Sequence, residues 1–233
     1  MAQTRGNCFI CGKTAGKTAI RNHIMKDHNG GDERCFLLKA EGAYYKGYWI
    51  YFSVPADAAL SAADSFLRRI WCECCGHLSA FRLDDEWYDE DEDDFGMSRK
   101  LSSFLIGDKL PYEYDFGTTT DIIVTIVGEC SRPAQREEAQ LLARNVPPRD
   151  VCAKCGAPAT QLDVFEGETF CDKCAESLDE ETPSLPITNS PRCGQCGYDG
   201  ELDRWTFDPA GPFPQPAPMP VKRRRGSRVS TKK

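Results

Sequence analysis

The pattern of hydrophobic and polar residues is clearest between residues 43 and 71, where it changes from a strand type to a helix type. The stretch AYYKGYWIYFSV at 43–54 is rich in aromatic and β-branched residues and ends at Pro55, which predicts a strand. Ser61 followed three residues later by Asp64 is typical of a helix start. Apolar residues at helical spacing then predict a helix that packs on the sheet: Leu60, Ala63, Phe66, Leu67, Ile70 and Trp71.

Shorter patterns follow this helix. The second half of WCECCGHLSAFRL alternates like a strand. The segments LPYEYDF at 110–116 and DIIVTIV at 121–127 predict an antiparallel pair across a Gly-Thr turn. Residues 98–106 predict a short helix, and so do the residues from Arg136 to Arg144. The sequence therefore predicts an α+β fold with a central antiparallel sheet and packed helices.

Two cysteines and two histidines near the N-terminus have the spacing of a two-Cys two-His zinc finger. Cys8 and Cys11 form a C-x-x-C knuckle, and His23 and His28 can lie on one side of a helix and its end. We therefore predict a zinc ion held by these four residues. The string GKTAGKT at 12–18 is similar to a phosphate-binding loop, but three residues instead of four separate its glycines, so we predict no nucleotide site.

A second set of cysteines predicts a zinc site near the C-terminus. Cys152 and Cys155 are followed after fifteen residues by Cys171 and Cys174, a spacing that is typical of a zinc ribbon or a related four-thiolate site. The residues between the two pairs can form a small hairpin held together by the metal, since so few residues cannot build a core.

Cys193 and Cys196 form a third knuckle. This pair could replace one of the other pairs or take its remaining ligands from elsewhere in the chain, and the sequence leaves both alternatives open. We therefore expect two zinc ions, and a third if this pair belongs to a separate site.

Composition divides the chain into four parts. We expect a zinc finger at residues 1–30, the central α+β domain at 35–146, a four-cysteine zinc module at 147–205, and a Pro-rich linker with a disordered basic tail at 206–233. The consecutive prolines 147 and 148 mark the boundary before the zinc module.

Charge is distributed unevenly along the chain. Residues 1–28 hold five Lys/Arg and one Asp, and residues 222–233 hold seven Lys/Arg and no acid, which leaves 17 bases and 35 acids between them. Residues 84–94 alone hold nine carboxylates, which predicts a solvated loop. Contact with a nucleic acid would therefore be local to the basic ends and sensitive to salt.

Cysteine usage and hydropathy predict a cytoplasmic protein with no membrane association. The sequence contains 13 cysteines arranged largely in metal-type knuckles, and it has no signal-peptide pattern. It also lacks an uninterrupted apolar run of the about 18 residues that a membrane-spanning helix needs.

Four strings resemble a known family. They are FLRRIWCECCGHLSAF at Phe66 to Phe81, YEYDFG at Tyr112 to Gly117, LLARN at Leu141 to Asn145, and NSPRCGQCGY at Asn189 to Tyr198. They resemble the plasmid pRiA4b ORF-like proteins, also described as insertion-element passenger proteins of a TnpR-named type, and their order is that of the zinc-bearing branch. The resemblance implies an α+β domain with an antiparallel sheet, in proteins associated with plasmids and mobile elements. It implies no established reaction.

This chain departs from the family pattern at two places. Many members have a second His two residues after the position of His77, where this chain has Ser79. Many also continue YEYDFG with an acidic, Trp and His segment, where this chain has Thr118 to Asp121. An active site built from those histidines would be missing here, which favours binding over catalysis.

A cluster of reactive side chains is nevertheless a candidate site. Cys74, Cys75 and His77 lie close together in sequence, and Asp115 could face them. A thiolate beside an imidazole can act as nucleophile and base, or three such groups can hold a metal with an open position. The plainer interpretation is a structural junction, because free cysteines are often buried. We take Cys75, His77 and Asp115 as candidate catalytic residues.

The combined prediction is a zinc-binding, non-catalytic protein that binds a nucleic acid or a protein partner through its finger and basic tail. Lysines and arginines on a finger helix can contact phosphates, whereas the acidic body would suit a basic protein. The alternative is an enzyme of unknown reaction that uses the Cys74, Cys75 and His77 cluster near Asp115.

Overall fold

The computed structural model describes residues 4–84, 86–89, 96–133, 139–178 and 183–200. Nine of its strands form one large sheet, and three form a small one. The strands of the large sheet are β1 (Arg5–Cys8), β2 (Thr14–Gly16), β3 (Glu33–Gly42), β4 (Trp49–Pro55), β5 (Ser79–Leu83), β6 (Glu86–Tyr88), β7 (Lys109–Tyr114), β8 (Thr120–Arg132) and β9 (Gln140–Asn145). The small sheet consists of β10 (Gln161–Asp163), β11 (Thr169–Phe170) and β12 (Ser184–Pro186).

All strand pairs in both sheets are antiparallel. The strand order is β2-β1-β9-β4-β3-β8-β7-β5-β6 in the large sheet and β11-β10-β12 in the small sheet. The described helices are few and short: α1 (Lys17–Asp27), α2 (Leu60–Leu67), α3 (Asp172–Ala175), a π-helical turn at Arg68–Cys72 and a 3-10 turn at Leu101–Ser103. The predicted antiparallel sheet is confirmed, but the helices are fewer than the predicted α+β fold implies, so the class is α+β or mainly β.

The centre of the large sheet is covered on both faces. Along β3 and β4, neighbouring residues belong alternately to two hydrophobic clusters, because successive side chains of a strand point to opposite faces. One cluster packs against α2, where the rings of Phe52 and Phe66 stack at 4.6 Å. The other packs against α1 through Ile20 and Ile24. This double coverage explains why β4 is apolar along nearly its whole length.

The N-terminal segment is part of the large sheet. β1 forms a hairpin with β2, and its other edge pairs with β9, so that Gly6 lies opposite Asn145 and Cys8 opposite Ala143. α1 follows β2 directly and packs on the sheet face beside it. The segment that holds the predicted finger residues therefore shares a sheet and a core with the centre of the molecule.

Several predicted elements differ from the structure. The described part of the helix expected at 136–144 is strand β9, and residues 134–138 lie outside the described part. The helix propensity of these residues favours a helix only weakly, and pairing with β1 and β4 in the sheet outweighs it. The strand expected at 43–54 begins at Trp49, and the helix expected at 98–106 is a single 3-10 turn.

Two further expectations concern α2 and the acidic segment. Ala59, not Ser61, is the N-cap of α2, and no side chain caps the helix. Glu86–Tyr88 of the acidic segment form the edge strand β6, and all three residues pair with β5. Asp85 and residues 90–94 of this segment lie outside the described residues, as does the whole of 201–233. Within the described residues, no helix has the length and apolar character needed to cross a membrane.

Candidate metal centres

The structure brings Cys and His side chains together in three groups of four. In each group, one ligand atom per residue lies within 4.8 Å of all the others. We name them the finger cluster (Cys8, Cys11, His23, His28), the junction cluster (Cys74, Cys75, His77, Cys196) and the ribbon cluster (Cys152, Cys155, Cys171, Cys174).

The finger cluster is built on the β1–β2 hairpin and α1. Cys8 ends β1, and a tight turn follows in which Gly12 has φ 75° and donates its N–H to the Cys8 carbonyl at 2.7 Å. His23 lies on α1 and His28 is its C-cap. Cys11 Sγ lies 3.0 Å from the Nε2 atom of His23 and 3.3 Å from that of His28, so three ligand atoms converge on one point.

A carboxylate orients one of these histidines. Asp27 Oδ2 lies 2.6 Å from Nδ1 of His23, the ring nitrogen that faces away from the cluster. This hydrogen bond is the main reason why the pKa of Asp27 is lowered. A carboxylate bound to the far nitrogen of a metal-ligating histidine fixes the tautomer that a metal requires. Burial, followed by the charge of His23, lowers the pKa of His28, which favours the neutral imidazole.

The ribbon cluster repeats the same local turn. Gly156 has φ 72° and donates its N–H to the Cys152 carbonyl at 2.8 Å, as Gly12 does at the first knuckle. Cys171 caps α3, which contains Cys174, and strands β10 and β11 form the expected hairpin between the two pairs. The Sγ atoms of Cys155 and Cys171 lie 3.7 Å apart.

Two thiols of the ribbon cluster have pKa values that their neighbours shift in opposite directions. Backbone N–H groups, first that of Cys171, lower the pKa of Cys152 to about 6. Hydrogen bonding to its neighbours, first to Cys171, raises the pKa of Cys174 to about 12. Thiols this close cannot all ionise without a cation between them, and a divalent metal takes the place of their protons.

The junction cluster joins two parts of the sequence that the motif spacing places in different sites. Cys74, Cys75 and His77 follow the π-helical turn and precede β5, and Cys196 lies 121 positions after Cys75. Cys75 Sγ lies 2.9 Å from His77 Nε2 and 3.8 Å from Cys196 Sγ. Cys196 Sγ lies 3.1 Å from the same histidine nitrogen.

The third knuckle is thereby divided. Cys196 belongs to the junction cluster, whereas Cys193 belongs to none of the three clusters found among the described residues. The Cys193 sulfur accepts the backbone N–H of Thr188 at 3.3 Å. The sequence did contain a signal for this arrangement, because CCGH at 74–77 offers three ligands without a fourth and CGQCG at 193–197 offers a cysteine pair without a partner pair.

A buried ion pair between Arg192 and Asp115 contacts the junction cluster. Arg192 is fully buried, and its Nη2 donates to Asp115 Oδ2 at 2.7 Å and to Cys74 Sγ at 3.4 Å. Its guanidinium also lies over the ring of Tyr114, 4.8 Å from the ring centre. Desolvation alone would raise the pKa of Asp115, but hydrogen bonds, first from Arg192, outweigh it and hold the pKa below its usual value. Arg192 thus places a positive charge beside the Cys74 sulfur and the Asp115 carboxylate.

The candidate catalytic residues Cys75, His77 and Asp115 do meet in space. Asp115 Oδ2 lies 3.5 Å from His77 Nε2, the atom that also contacts Cys75 and Cys196. A nucleophile and an orienting carboxylate need the two different nitrogens of a catalytic histidine. Here all contacts converge on one nitrogen. Hydrogen bonding to Cys74 is the first of the causes that raise the pKa of Cys75 to about 11, which disfavours the free thiolate nucleophile.

The spacing of the sulfur atoms agrees with tetrahedral coordination. A zinc ion with four ligands and a Zn–S distance of about 2.3 Å places its sulfurs about 3.8 Å apart. The Sγ separations are 3.6 and 3.8 Å in the junction cluster and 3.7 Å in the ribbon cluster. A disulfide would bring the sulfurs to about 2.05 Å. The three clusters are therefore compatible with metal binding.

The fold and its clusters define a protein with a large antiparallel sheet and three Cys/His groups compatible with metal. No protein-family model matches the chain, and no curated protein is similar to it in sequence at a significant level. The structure is similar to the crystal structure of a protein of unknown function from Methanosarcina mazei Go1. The TM-score is 0.42 and the identity 20%, and the match covers 54% of this chain and 76% of that one. A likeness this weak says nothing about function.

Proposed function

We propose that this protein is a zinc-binding, non-catalytic protein that holds three structural zinc ions and binds nucleic acid through the exposed side of α1. The observation that carries the proposal is the presence of three groups of four Cys/His ligand atoms, each within 4.8 Å of one another. Thiolate and imidazole ligands in sets of four favour zinc, and a closed set of four protein ligands is typical of a structural ion.

The junction cluster supports a metal site over an enzyme site. Its histidine offers the same nitrogen to two sulfurs and to Asp115, and Asp115 is already paired with Arg192. This arrangement favours a coordinated ion over a cysteine nucleophile with its base. The alternative enzyme would need the sulfur of Cys75 to be free of metal.

The exposed side of α1 supports the nucleic-acid proposal. Ile20, His23 and Ile24 face the sheet and the metal, which leaves the other side of the helix open to solvent. The residues exposed there are Thr18, Ala19, Arg21, Asn22, Lys26 and Asp27. They include two cations and two small polar groups, and phosphates and base edges are contacted by such side chains in helical fingers. The family resemblance and its mobile-element setting remain part of the proposal without further support.

The zinc proposal is tested by counting bound metal in native mass spectrometry. We expect three zinc ions per chain in the wild-type protein and two in the Cys196→Ser variant. Cys193→Ser is the matched control, because it removes the other cysteine of the same knuckle without removing a cluster ligand. It should retain three ions. Three ions in Cys196→Ser, or two in Cys193→Ser, would contradict the assignment of the junction cluster.

The nucleic-acid proposal is tested by fluorescence anisotropy with labelled duplex and single-stranded DNA at low and physiological salt. We expect an Arg21→Ala, Lys26→Ala double variant to bind more weakly. The slope of log K against log salt concentration should fall in magnitude by about 2, because each of the two cations pairs with one phosphate. Lys109→Ala, an exposed cation on β7, is the control and should bind like the wild type. Tight binding to a basic protein, with no binding to DNA at low salt, would favour the protein-partner alternative.

A further inference from the structure

A cavity beside the finger has the chemistry of an anion site. It has a volume of about 580 Å³, within the usual range for small-molecule pockets, and lies where β1, the end of β9 and the loop between β3 and β4 meet. Arg5 and Arg149 both line it, and none of the described residues along its wall is an acid. In a protein with a net charge of −7, a cavity with two cations and no carboxylate is a local exception.

An aromatic ring is held at the same cavity. The Tyr45 ring lies so close to Gly47 that a Cβ at Gly47 would overlap it, and its edge packs against Tyr48 at 5.2 Å. The Tyr45 side chain is nevertheless 54% exposed. A ring that is fixed on one side and open on the other can stack on a flat ligand at a small entropic cost.

The remaining wall combines an apolar surface with fixed polar groups. Pro147 and Pro148 supply rigid apolar contacts. Asn145 is buried and fixed, because its side chain accepts the N–H of Trp49 at 2.9 Å and donates to Asn189 at 2.7 Å. Tyr45 and Asn145 are therefore held in place in the absence of a ligand.

We propose that this cavity binds one unpaired nucleotide of a single-stranded nucleic acid, with the phosphate near Arg5 and Arg149 and the base on the ring of Tyr45. Cations bind the phosphate of any sequence, and every base has a face that can stack, so binding is tolerant of sequence. An acidic peptide would satisfy the arginines but would leave the open ring of Tyr45 without a stacking partner.

This inference rests on the proposed nucleic-acid function and makes it more specific. The cavity adjoins the finger through the loop between β3 and β4, since Lys17 of α1 donates to the carbonyl of Lys46 at 3.0 Å. A strand that contacts α1 could thus extend into the cavity, and a base-paired nucleotide could not stack there. The full-length protein should therefore prefer single strands, or duplexes with a single-stranded end, to blunt duplexes.

The test measures anisotropy of a labelled single strand of about ten nucleotides and of the matching blunt duplex with the zinc-loaded full-length protein. We expect Tyr45→Ala to weaken single-strand binding by about fivefold or more and to leave duplex binding unchanged. Tyr45→Phe keeps the ring and should bind like the wild type. Tyr44→Ala is the matched control, because Tyr44 is 89% exposed next to Tyr45 but does not line the cavity.

A second variant tests the phosphate contact. Arg149→Ala should weaken single-strand binding and reduce its salt slope by about one. Wild-type single-strand binding by both Tyr45→Ala and Arg149→Ala would overturn the inference, and so would an equal loss in Tyr44→Ala or equally tight binding of an acidic peptide. If the wild-type protein binds neither DNA at low salt, the proposed function itself fails. If the α1 double variant loses duplex binding while the cavity variants bind normally, this inference alone fails.

Discussion

Five glycines directly after cysteines have the same left-handed backbone. Their φ angles are 75° at Gly12, 79° at Gly76, 72° at Gly156, 79° at Gly194 and 67° at Gly197. A residue with a Cβ is strained in this conformation, so glycine allows the chain to turn back and direct two sulfurs to one point. The same local solution thus serves all three clusters. At this scale the sequence is informative, since every knuckle except Cys171–Cys174, which Ala175 follows, ends in a Cys-Gly pair.

Asp27 provides a prediction for the finger cluster. Replacement of Asp27 by Asn removes the carboxylate that fixes the Nδ1 proton of His23, and we expect zinc affinity at this cluster to fall by about 10- to 100-fold. Competition with a chromophoric chelator measures this affinity. Asp32→Asn, an exposed acid just after the finger, should leave it unchanged. An affinity equal to that of the wild type would show that Asp27 does not orient the ligand.

Glu41 provides a pH-dependent prediction. Desolvation would raise its pKa, but hydrogen bonds from Lys17 and Lys39 outweigh this and hold the pKa below the ordinary 4.5. Since the folded pKa is lower than the unfolded one, the stabilisation is fully present above about pH 4.5 and is lost as the pH falls through the folded value.

Glu41→Gln should therefore lower the free energy of unfolding at neutral pH by about 1–2 kcal/mol. The difference from the wild type should shrink as the pH falls below about 4.5. Chemical denaturation of both proteins at matched pH values measures it, and the comparison cancels any loss of metal common to both. A difference that stays constant with pH would contradict a role for the carboxylate charge.

At the scale of elements, the local sequence pattern predicts the strands whose pairing partners are close in sequence. Strands β7 and β8 were predicted because a short turn joins them and their apolar residues alternate. Strand β9 was not, because QLLARN has residues with high helix propensity and its partners β1 and β4 are distant in sequence. Pairing over such distances has no local signature, so the insertion of β9 between the finger and the centre could not be read from the chain.

The pairing of β1 with β9 provides a prediction about the finger. A Cβ at Gly6 would overlap the ring of Trp49 and the carbonyl oxygen of Arg144, so Gly6→Ala must displace β1 from β9. Backbone atoms cannot move aside as a flexible side chain can, and we expect a loss of about 1–3 kcal/mol. Hydrogen exchange should show faster exchange in β1 and α1, with the far end of the sheet unchanged.

Gly30→Ala is the matched control for Gly6→Ala. A Cβ at Gly30 meets no atom within 4 Å, so its hydrogen exchange should equal that of the wild type. Unchanged protection of β1 in Gly6→Ala would mean that the finger does not depend on the sheet for its position.

At the scale of the whole molecule, the two sheets differ in how much apolar core they have. The large sheet is covered by two hydrophobic clusters, whereas the small sheet has three short strands and few buried apolar side chains. With so little core, the small sheet would need the proposed metal in order to fold. The junction cluster could not be assembled from sequence alone, because the long-range fold determines that Cys196 reaches His77.

Removal of zinc should therefore unfold the molecule in parts. With a strong chelator, we expect the amides of β10 and β11 to lose protection from hydrogen exchange first and the amides of β3 and β8 to remain protected. Mass spectrometry of peptic fragments measures both regions in one sample. Simultaneous loss of protection in both sheets would indicate that the large sheet also requires the metal.

The sequence distance between the ligands of each cluster also determines when each site can form during synthesis. The ligands of the finger and ribbon clusters span 20 positions (Cys8 to His28) and 22 positions (Cys152 to Cys174), so each can close soon after its own segment leaves the ribosome. The junction cluster joins residues 121 positions apart and must wait for Cys196. An ion bound there would close a loop of the chain that contains β5 to β12. Like a long-range crosslink, it would lower the conformational entropy of the unfolded chain. Of the three clusters it is the last whose ligands are all synthesised, and it joins the end of the described chain to its centre.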